Sequence, residues 1–435
     1  MSDFAINAVW RPHKGETKLD ATIASLRIEV RDKNVAAYRS DQIGNDDHLF
    51  IPVYNLAEWI AENWWPILWE PRKSEDYSDD PDFGLRHSFV AAGGGFPLPD
   101  VSLTSQGDLV LVRAKSRRTQ IEDLYFYQAA EKPLPRKEVE RVLRGFVQKT
   151  VERLAAKGIE NTILQEQWSL ILEHSAEAEQ FAKCMGALGL SPYSEEPQIE
   201  SILDRAHEAL GDQLTFDLCL ASTPQNLENM VKLAVNAKEV SASDQSKVDL
   251  AALRTFQLPP QTAAPAWHRG KNAATKLREH LGIKADDPCG STKVMEAVGL
   301  ALPDILANED DTNELRITGL MHREDDRTAH LALLQRTTQK RRFAAARGIF
   351  AACDSKANDC RLITMAVTRD QQANRAFAAE LTAPIAFIRS FIRRGKLDPE
   401  LIPEIADQLN IASDVVLKHA MNNGTSFAER KRAGL

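Results

Sequence analysis

The stretch RRFAAARGIFA, residues 341–351, decides how the last third of this chain is read. It reads as a helix, with Arg341, Arg342 and Arg347 on it or beside its start. Before it, ELRITGLMHREDDRTAHLALLQ (314–335) predicts a strand pair: Arg316-Ile317-Thr318 and His330-Leu331-Ala332-Leu333 flank a charged turn. After it, DQQANRAFAAELTAPIAFIRSFIRR (370–394) predicts a further helix. The segment IPEIADQLNIASDVVLKHAMNNG (402–424) then has the outline of a helix-turn-helix. Ile405, Ala406 and Leu409 precede a turn at Asn410 to Ala412, and Val415, Val416 and His419 follow it.

Working back toward the N-terminus, HRGKNAATKLREHLGIKADDPCGSTKVMEAVGLALPD (268–304) predicts two short helices, stopped at Gly282 and Gly299. LPPQTAAPAW (258–267) has the composition of a linker. From Pro133 to Ala252 the period is helical. Val139, Val142, Leu143, Phe146, Val147, Val151 and Leu154 recur at three- and four-residue steps, and TPQNLENMVKLAVNAK (223–238) behaves alike. The first 130 residues are strand-rich, as in TIASLRIEV (22–30) and GDLVLVRA (107–114). Between those strands YNLAEWIAENWWPILWEP (54–71) predicts a helix capped by Asn55 and ended by Pro66. It carries Trp59, Trp64, Trp65 and Trp69, aromatics that anchor either a core or a partner surface. The expected class is α+β in three parts: a β-rich domain over 1–130, an α-helical domain over 131–257, and an α+β domain with a helical end over 266–425.

The 435 residues are 43% hydrophobic and 27% charged, a globular composition long enough for several cores. No apolar run reaches membrane length, and the first twenty residues lack a signal-peptide pattern, so a cytoplasmic protein is expected with no membrane partner. Five scattered cysteines without a C-x-x-C pair argue against a disulfide framework or zinc ribbon. Gly93–Gly95 are followed by Phe96-Pro97 rather than Lys-Ser/Thr, which excludes a P-loop; no Gly-x-Ser-x-Gly is present. The net charge of −8 is uneven: from Met321 onward 19 Lys+Arg face 13 Asp+Glu, a surplus of six.

The order of elements from about Trp267 to Gly424 resembles the ImmA/IrrE family of zinc metallopeptidase-like proteins. AATKLREHLGI is similar to that family's first helix, RRFAAARGIFA to its active-site helix, and QQANRAFAAELTAP to its Ala-Asn and Phe-Ala-Ala-Glu-Leu motif. The resemblance implies a zincin-like α+β fold. It also implies a helix bearing His-Glu-x-x-His, whose two imidazoles and a distant carboxylate hold zinc while the glutamate acts as general base. Here Arg347 stands at the first histidine, Gly348 at the general base, Ala351 at the second histidine and Gln371 at the carboxylate. Arg347, Gly348 and Ala351 supply no ligand and the Arg347 charge would repel a metal, while the carboxylate position falls on Gln371 or, one residue earlier, on Asp370. The expectation is therefore a degenerate, pseudoenzyme domain with no catalytic residue, no metal and no cofactor. His322 and His330, eight apart, lack a third ligand at recognisable spacing.

Two fates for Arg347 stay open. It lines a basic cleft with Arg341, Arg342 and the later Arg389, Arg393, Arg394 and Lys396, or it turns inward to pair with Asp370 or Glu380. The expected function is a non-catalytic protein-interaction or regulatory role in a bacterial mobile-element or phage-defence setting. Candidate partner-binding residues are Arg341, Arg342, Arg347, Arg393, Arg394 and the four tryptophans. The alternative is a DNA-binding regulator using the basic C-terminal region and the helix-turn-helix-like end. Oligomeric state is not legible.

Overall fold

The structure, a computed structural model, describes residues 3–428 apart from 74–81, 121–122, 174, 244–245, 263, 301 and 303–315. The chain divides into two compact α+β units, Met1–Leu203 and Asp204–Leu435.

In the first unit, strands Phe4–Trp10 and Ile23–Val30 pair antiparallel, Phe4 opposite Val30, with Leu49–Pro52 on the other side of Ile23–Val30. A second sheet runs in the order Ala130–Pro135, Leu109–Lys115, Asp100–Ser105. Alternation places Val110, Val112 and Ala114 inside. Helix Arg136–Ala155 lays Val139, Leu143, Phe146, Val147 and Leu154 into that same core. Asn55 caps nothing: Val53 precedes the helix Tyr54–Glu62, and Pro66 falls in the first turn of a second helix, Trp64–Trp69. A proline costs little there because first-turn N–H groups have no helical partner. Glu70 is buried beside Arg86 and His87. Burial opposes its charge, but those two neighbours outweigh it and hold the carboxyl down at about 2.

The second unit begins with α1 (Asp212–Ala221) and α2 (Leu227–Ser241), then β1 (Lys247–Asp249), α3 (Ala266–His280) and α4 (Gly290–Ala297). The strands β2 (Ile317–Arg323) and β3 (Thr328–Leu333), the helix α5 (Thr338–Asp354), β4 (Cys360–Thr364) and α6 (Arg369–Thr382) follow. Three short helices close it: α7 (Ile385–Ser390), α8 (Ile402–Leu409) and α9 (Ser413–Asn422). The antiparallel sheet has the order β1-β3-β2-β4. Leu331, Leu333, Met321 and Ile363 share a core with α5 and α6. The alternate residues Leu320, Ala332 and Leu362 are buried as well, so both faces are covered, with α1 packed on β4 and α2 on β2 and β3. The stretch expected as a separate helical domain, 131–257, is thus divided between the two units. An amphipathic helix has one apolar face that must be covered: the helices at 163–172 and 176–187 are covered by the tryptophan-bearing helices of the first unit, and α1 and α2 by the sheet of the second.

The segment 258–267 is braced within its unit rather than hanging free. Arg269 donates to the Pro259 carbonyl at 2.9 Å, and Arg369 donates to those of Thr262 and Ala264. The tightest packing is the crossing of α3 and α6, where Gly270, Ala273 and Ala274 meet Ala373, Phe377 and Ala378. A Cβ on Gly270 would lie 2.0 Å from the Ala373 carbonyl oxygen and 2.8 Å from the Phe377 nitrogen. Gly270→Ala must therefore push the two backbones apart. It is expected to destabilise the protein by about 1–3 kcal/mol, read as a lowered urea midpoint at unchanged slope.

Candidate functional site: a sealed strand edge

β4 is the last strand of its sheet. Its odd-numbered residues face β2; Cys360, Leu362 and Thr364 turn their N–H and C=O groups outward. An edge of this kind is a template for another strand unless something covers it. Here side chains take the four outward groups of Leu362 and Thr364. The Leu362 N–H donates to the Asp217 carboxylate at 3.1 Å. The Gln371 carboxamide accepts from the Thr364 N–H at 3.0 Å and donates to the Leu362 carbonyl at 2.8 Å, much as a peptide unit of an added strand would. Arg347 donates to the Thr364 carbonyl.

Arg347 is the centre of this arrangement. It is 1% exposed and ranks among the largest wholly buried side chains. Its Nε donates to Asn374 Oδ1 at 2.8 Å, and its Nη2 donates to Gln371 Oε1 at 2.8 Å as well as to Thr364. Nη1 reaches Thr318 Oγ1 at 3.3 Å and the Met365 sulfur. Neither Asp370 nor Glu380 is among its partners. Glu380 instead accepts from His419 at 2.9 Å and from the Ile385 N–H, tying α6 to α9 and α7. Burial, with Arg375 nearby, pushes the Arg347 guanidinium well below its usual pKa. A buried guanidinium costs several kcal/mol unless its donors are satisfied, and here neutral oxygens satisfy them.

The sequence-predicted positions separate as follows. Arg347 and Gln371 meet. Gly348 points the other way: a Cβ there would lie 2.8 Å from Leu331 Cδ2 and 3.3 Å from Ile363 Cδ1, so the position has no room for a glutamate. Ala351, one turn on, is half-buried at the rim of the core. Arg341 and Arg342 are half-buried; Arg341 donates to the Leu333 and Gln335 carbonyls, and Arg342 to Thr292 Oγ1 at 2.8 Å. Arg393 and Arg394 are exposed on a turn beyond α7. The basic cleft therefore does not assemble around Arg347, because that side chain is spent inside.

The four tryptophans belong to the first unit's core. Trp59, Trp64 and Trp65 are buried, and Trp64 meets Trp168 edge-to-face at 5.4 Å. Trp69 is half-buried, with the Arg136 guanidinium 3.5 Å from its ring. A partner surface built on them has no exposed ring to offer. His322 and His330 are cross-strand neighbours on β2 and β3, their rings 6.0 Å apart, and both lie on strands rather than one in the charged turn. His330 is held by Ser246 and Glu324.

Zinc does not fit the positions the resemblance assigns: Arg347, Gly348, Ala351 and Gln371 offer no thiolate, imidazole or carboxylate, and the guanidinium fills the space between α5 and α6. Among the described residues no group of three or more His, Cys, Asp or Glu stands where it could hold an ion. Sequence reasoning missed Asp217, Thr318, Thr364 and Asn374. Asp217 did carry a signal, as a lone carboxylate in the apolar run TFDLCLA (215–221).

Gln371→Leu keeps the side chain's bulk and strips both hydrogen bonds from the edge. It is expected to destabilise the protein by about 2–4 kcal/mol in urea titration and to promote self-association in sedimentation velocity. Asp217 gives a pH signature. Burial pushes its carboxyl up to about 6, against the pull of Arg361 and the Leu362 N–H. The folded state then holds the proton more tightly than the unfolded chain, so ionisation removes stability as pH rises from about 4 through 6. Between pH 4 and pH 7 the wild type is expected to lose on the order of 3 kcal/mol relative to Asp217→Asn, measured by denaturant titration across that range.

No family model, no curated protein and no solved structure matches the chain.

Proposed function

We propose that this is a non-catalytic interaction or regulatory protein whose second unit derives from a metallopeptidase-like domain of the ImmA/IrrE type. One observation carries the reading. Arg347 and Gln371, 24 residues apart, stand at positions the resemblance gives to two ligands of one zinc ion, and they touch at 2.8 Å. The contact joins α5 to α6 and serves the edge of β4. In this reading a centre for chemistry has become a centre of structure, and the function left to the domain is recognition of a protein partner. Its exposed α9 suits that role better than groove reading in DNA. His419 is buried against Glu380, and Lys418 is paired with Asp414. Exposed Leu417 and Met421 make up much of the remaining face, and they offer no donors to bases.

The test is elemental analysis of tag-free, full-length protein purified without chelator and then incubated with zinc salt. The expected content is far below one zinc per chain; stoichiometric zinc would overturn the proposal. A companion variant checks the positions. Arg347→His, Ala351→His and Gln371→Glu together are expected to gain about one zinc per chain. Failure of a folded triple variant to gain metal would place the resemblance's ligand positions elsewhere.

A further inference from the structure

Between α7 and α8 the chain makes a tight two-residue turn. Arg393 and Lys396 exchange both backbone hydrogen bonds at 3.0 Å, and Arg394 (φ 50) and Gly395 (φ 78) stand between them. Two successive positive φ values define the primed hairpin turn, which favours Asn-Gly at its tip. An arginine there is held in the left-handed region at a cost of about 1–2 kcal/mol. The next residue, Leu397, is wholly buried and bonded on both sides to the closing segment, its N–H to the Ser426 carbonyl and its carbonyl to the Ala428 N–H. The turn is therefore presented on a fixed base.

Arg389, Arg393, Arg394 and Lys396 are all exposed. None has a carboxylate partner among the described residues; Arg393 reaches only the Ser390 and Ile392 carbonyls. Four cations within eight residues, none of them in an ion pair among the described residues, mark a place where a polyanion's phosphates can find open partners. Beside them Phe387 and Phe391 are half-buried, packed in part against the core of the closing helices, in an edge-to-face pair with 5.3 Å between centroids. Guanidinium groups fork onto phosphate oxygens, and phenyl faces stack on unpaired bases.

We propose that the Arg393–Lys396 turn, with Arg389 and the Phe387–Phe391 pair, is a contact site for single-stranded nucleic acid that reads backbone and base faces rather than sequence. Acidic Asp398, Glu400, Glu404 and Asp407 follow the turn in the sequence, a local negative charge that disfavours a broad anionic bilayer. An acidic peptide would use the charges and leave the rings idle. The proposal concerns a surface separate from the Arg347 lock and does not depend on the zinc result.

The experiment is fluorescence anisotropy of a labelled 20-nucleotide oligothymidylate titrated with the full chain at several salt concentrations. Arg394→Gly removes one charge and relaxes the turn, so folding is not compromised. It is expected to raise Kd about five-fold at 0.1 M salt and to reduce the salt slope by about 0.7. Arg389→Ala, Arg394→Gly and Lys396→Ala together are expected to raise Kd about 100-fold and reduce the slope by about 2. Phe391→Leu is expected to weaken binding about five-fold at an unchanged slope. The proposal is overturned if the wild type leaves the oligonucleotide free at 50 mM salt, if the triple variant binds as tightly as wild type, or if polyglutamate or phosphatidylserine vesicles compete as well as unlabelled oligonucleotide.

Discussion

The second unit depends on how one strand edge is closed. An edge strand must hide its outward N–H and C=O groups or advertise them to another chain. β4 hides those of Leu362 and Thr364 behind side chains from three helices: Asp217 from α1, Gln371 from α6, and Arg347 from α5. Because Arg347 also grips Asn374 and Thr318, the lock fixes the distance between α5 and α6 while it closes the sheet. Remove it, and two helices and one strand lose their common reference together.

The same device recurs nearby. Arg278 is buried and donates to the carbonyls of Lys284, Asp287 and Leu381, joining the end of α6 to the loop after α3. Arg323 donates to the Ala352 carbonyl at the end of α5 and to the turn carbonyls of Asp325 and Asp326. Arg369 holds the proline-rich segment in the same manner. Arg278 and Arg323, near the C-termini of α6 and α5, meet the negative end of a helix dipole and carbonyls left without helical partners, whereas Arg369, the first residue of α6, clamps loop carbonyls instead. The unit thus uses arginine chiefly as a backbone clamp, which is why a positive surplus in its sequence does not translate into a basic groove at its centre.

This explains what could be read from the sequence. The strand pair before the quoted stretch, the helix itself and the turn at Asn410 follow from period and punctuation, but β2 runs on through His322 to Arg323, and the single helix expected over 370–394 breaks before Pro384 into α6 and α7. That Arg347 and Gln371 share a site came from motif order. What the pattern could not show was direction. Arg347 pointing inward rather than outward is decided by the carbonyl of Thr364 and the amides of Asn374 and Gln371, contacts between residues 17 to 27 positions apart. The middle domain was misjudged for a related reason. Helical period tells that a helix has an apolar face, but not which sheet covers it. Asp217, sealing β4 from 145 residues away, lies beyond any local signal except its own oddness among apolar neighbours.

Gly348 carries a consequence for exchange of residues at this place. Its missing side chain lets Leu331 fill the gap between α5 and the sheet. A larger residue there demands a smaller one at 331, and a smaller residue at 347 strands the Thr364 carbonyl and the Gln371 amide. Each change alone lowers stability before any benefit of the other arrives. The lock therefore resists exchange one residue at a time, and any rearrangement of it has to move several side chains together.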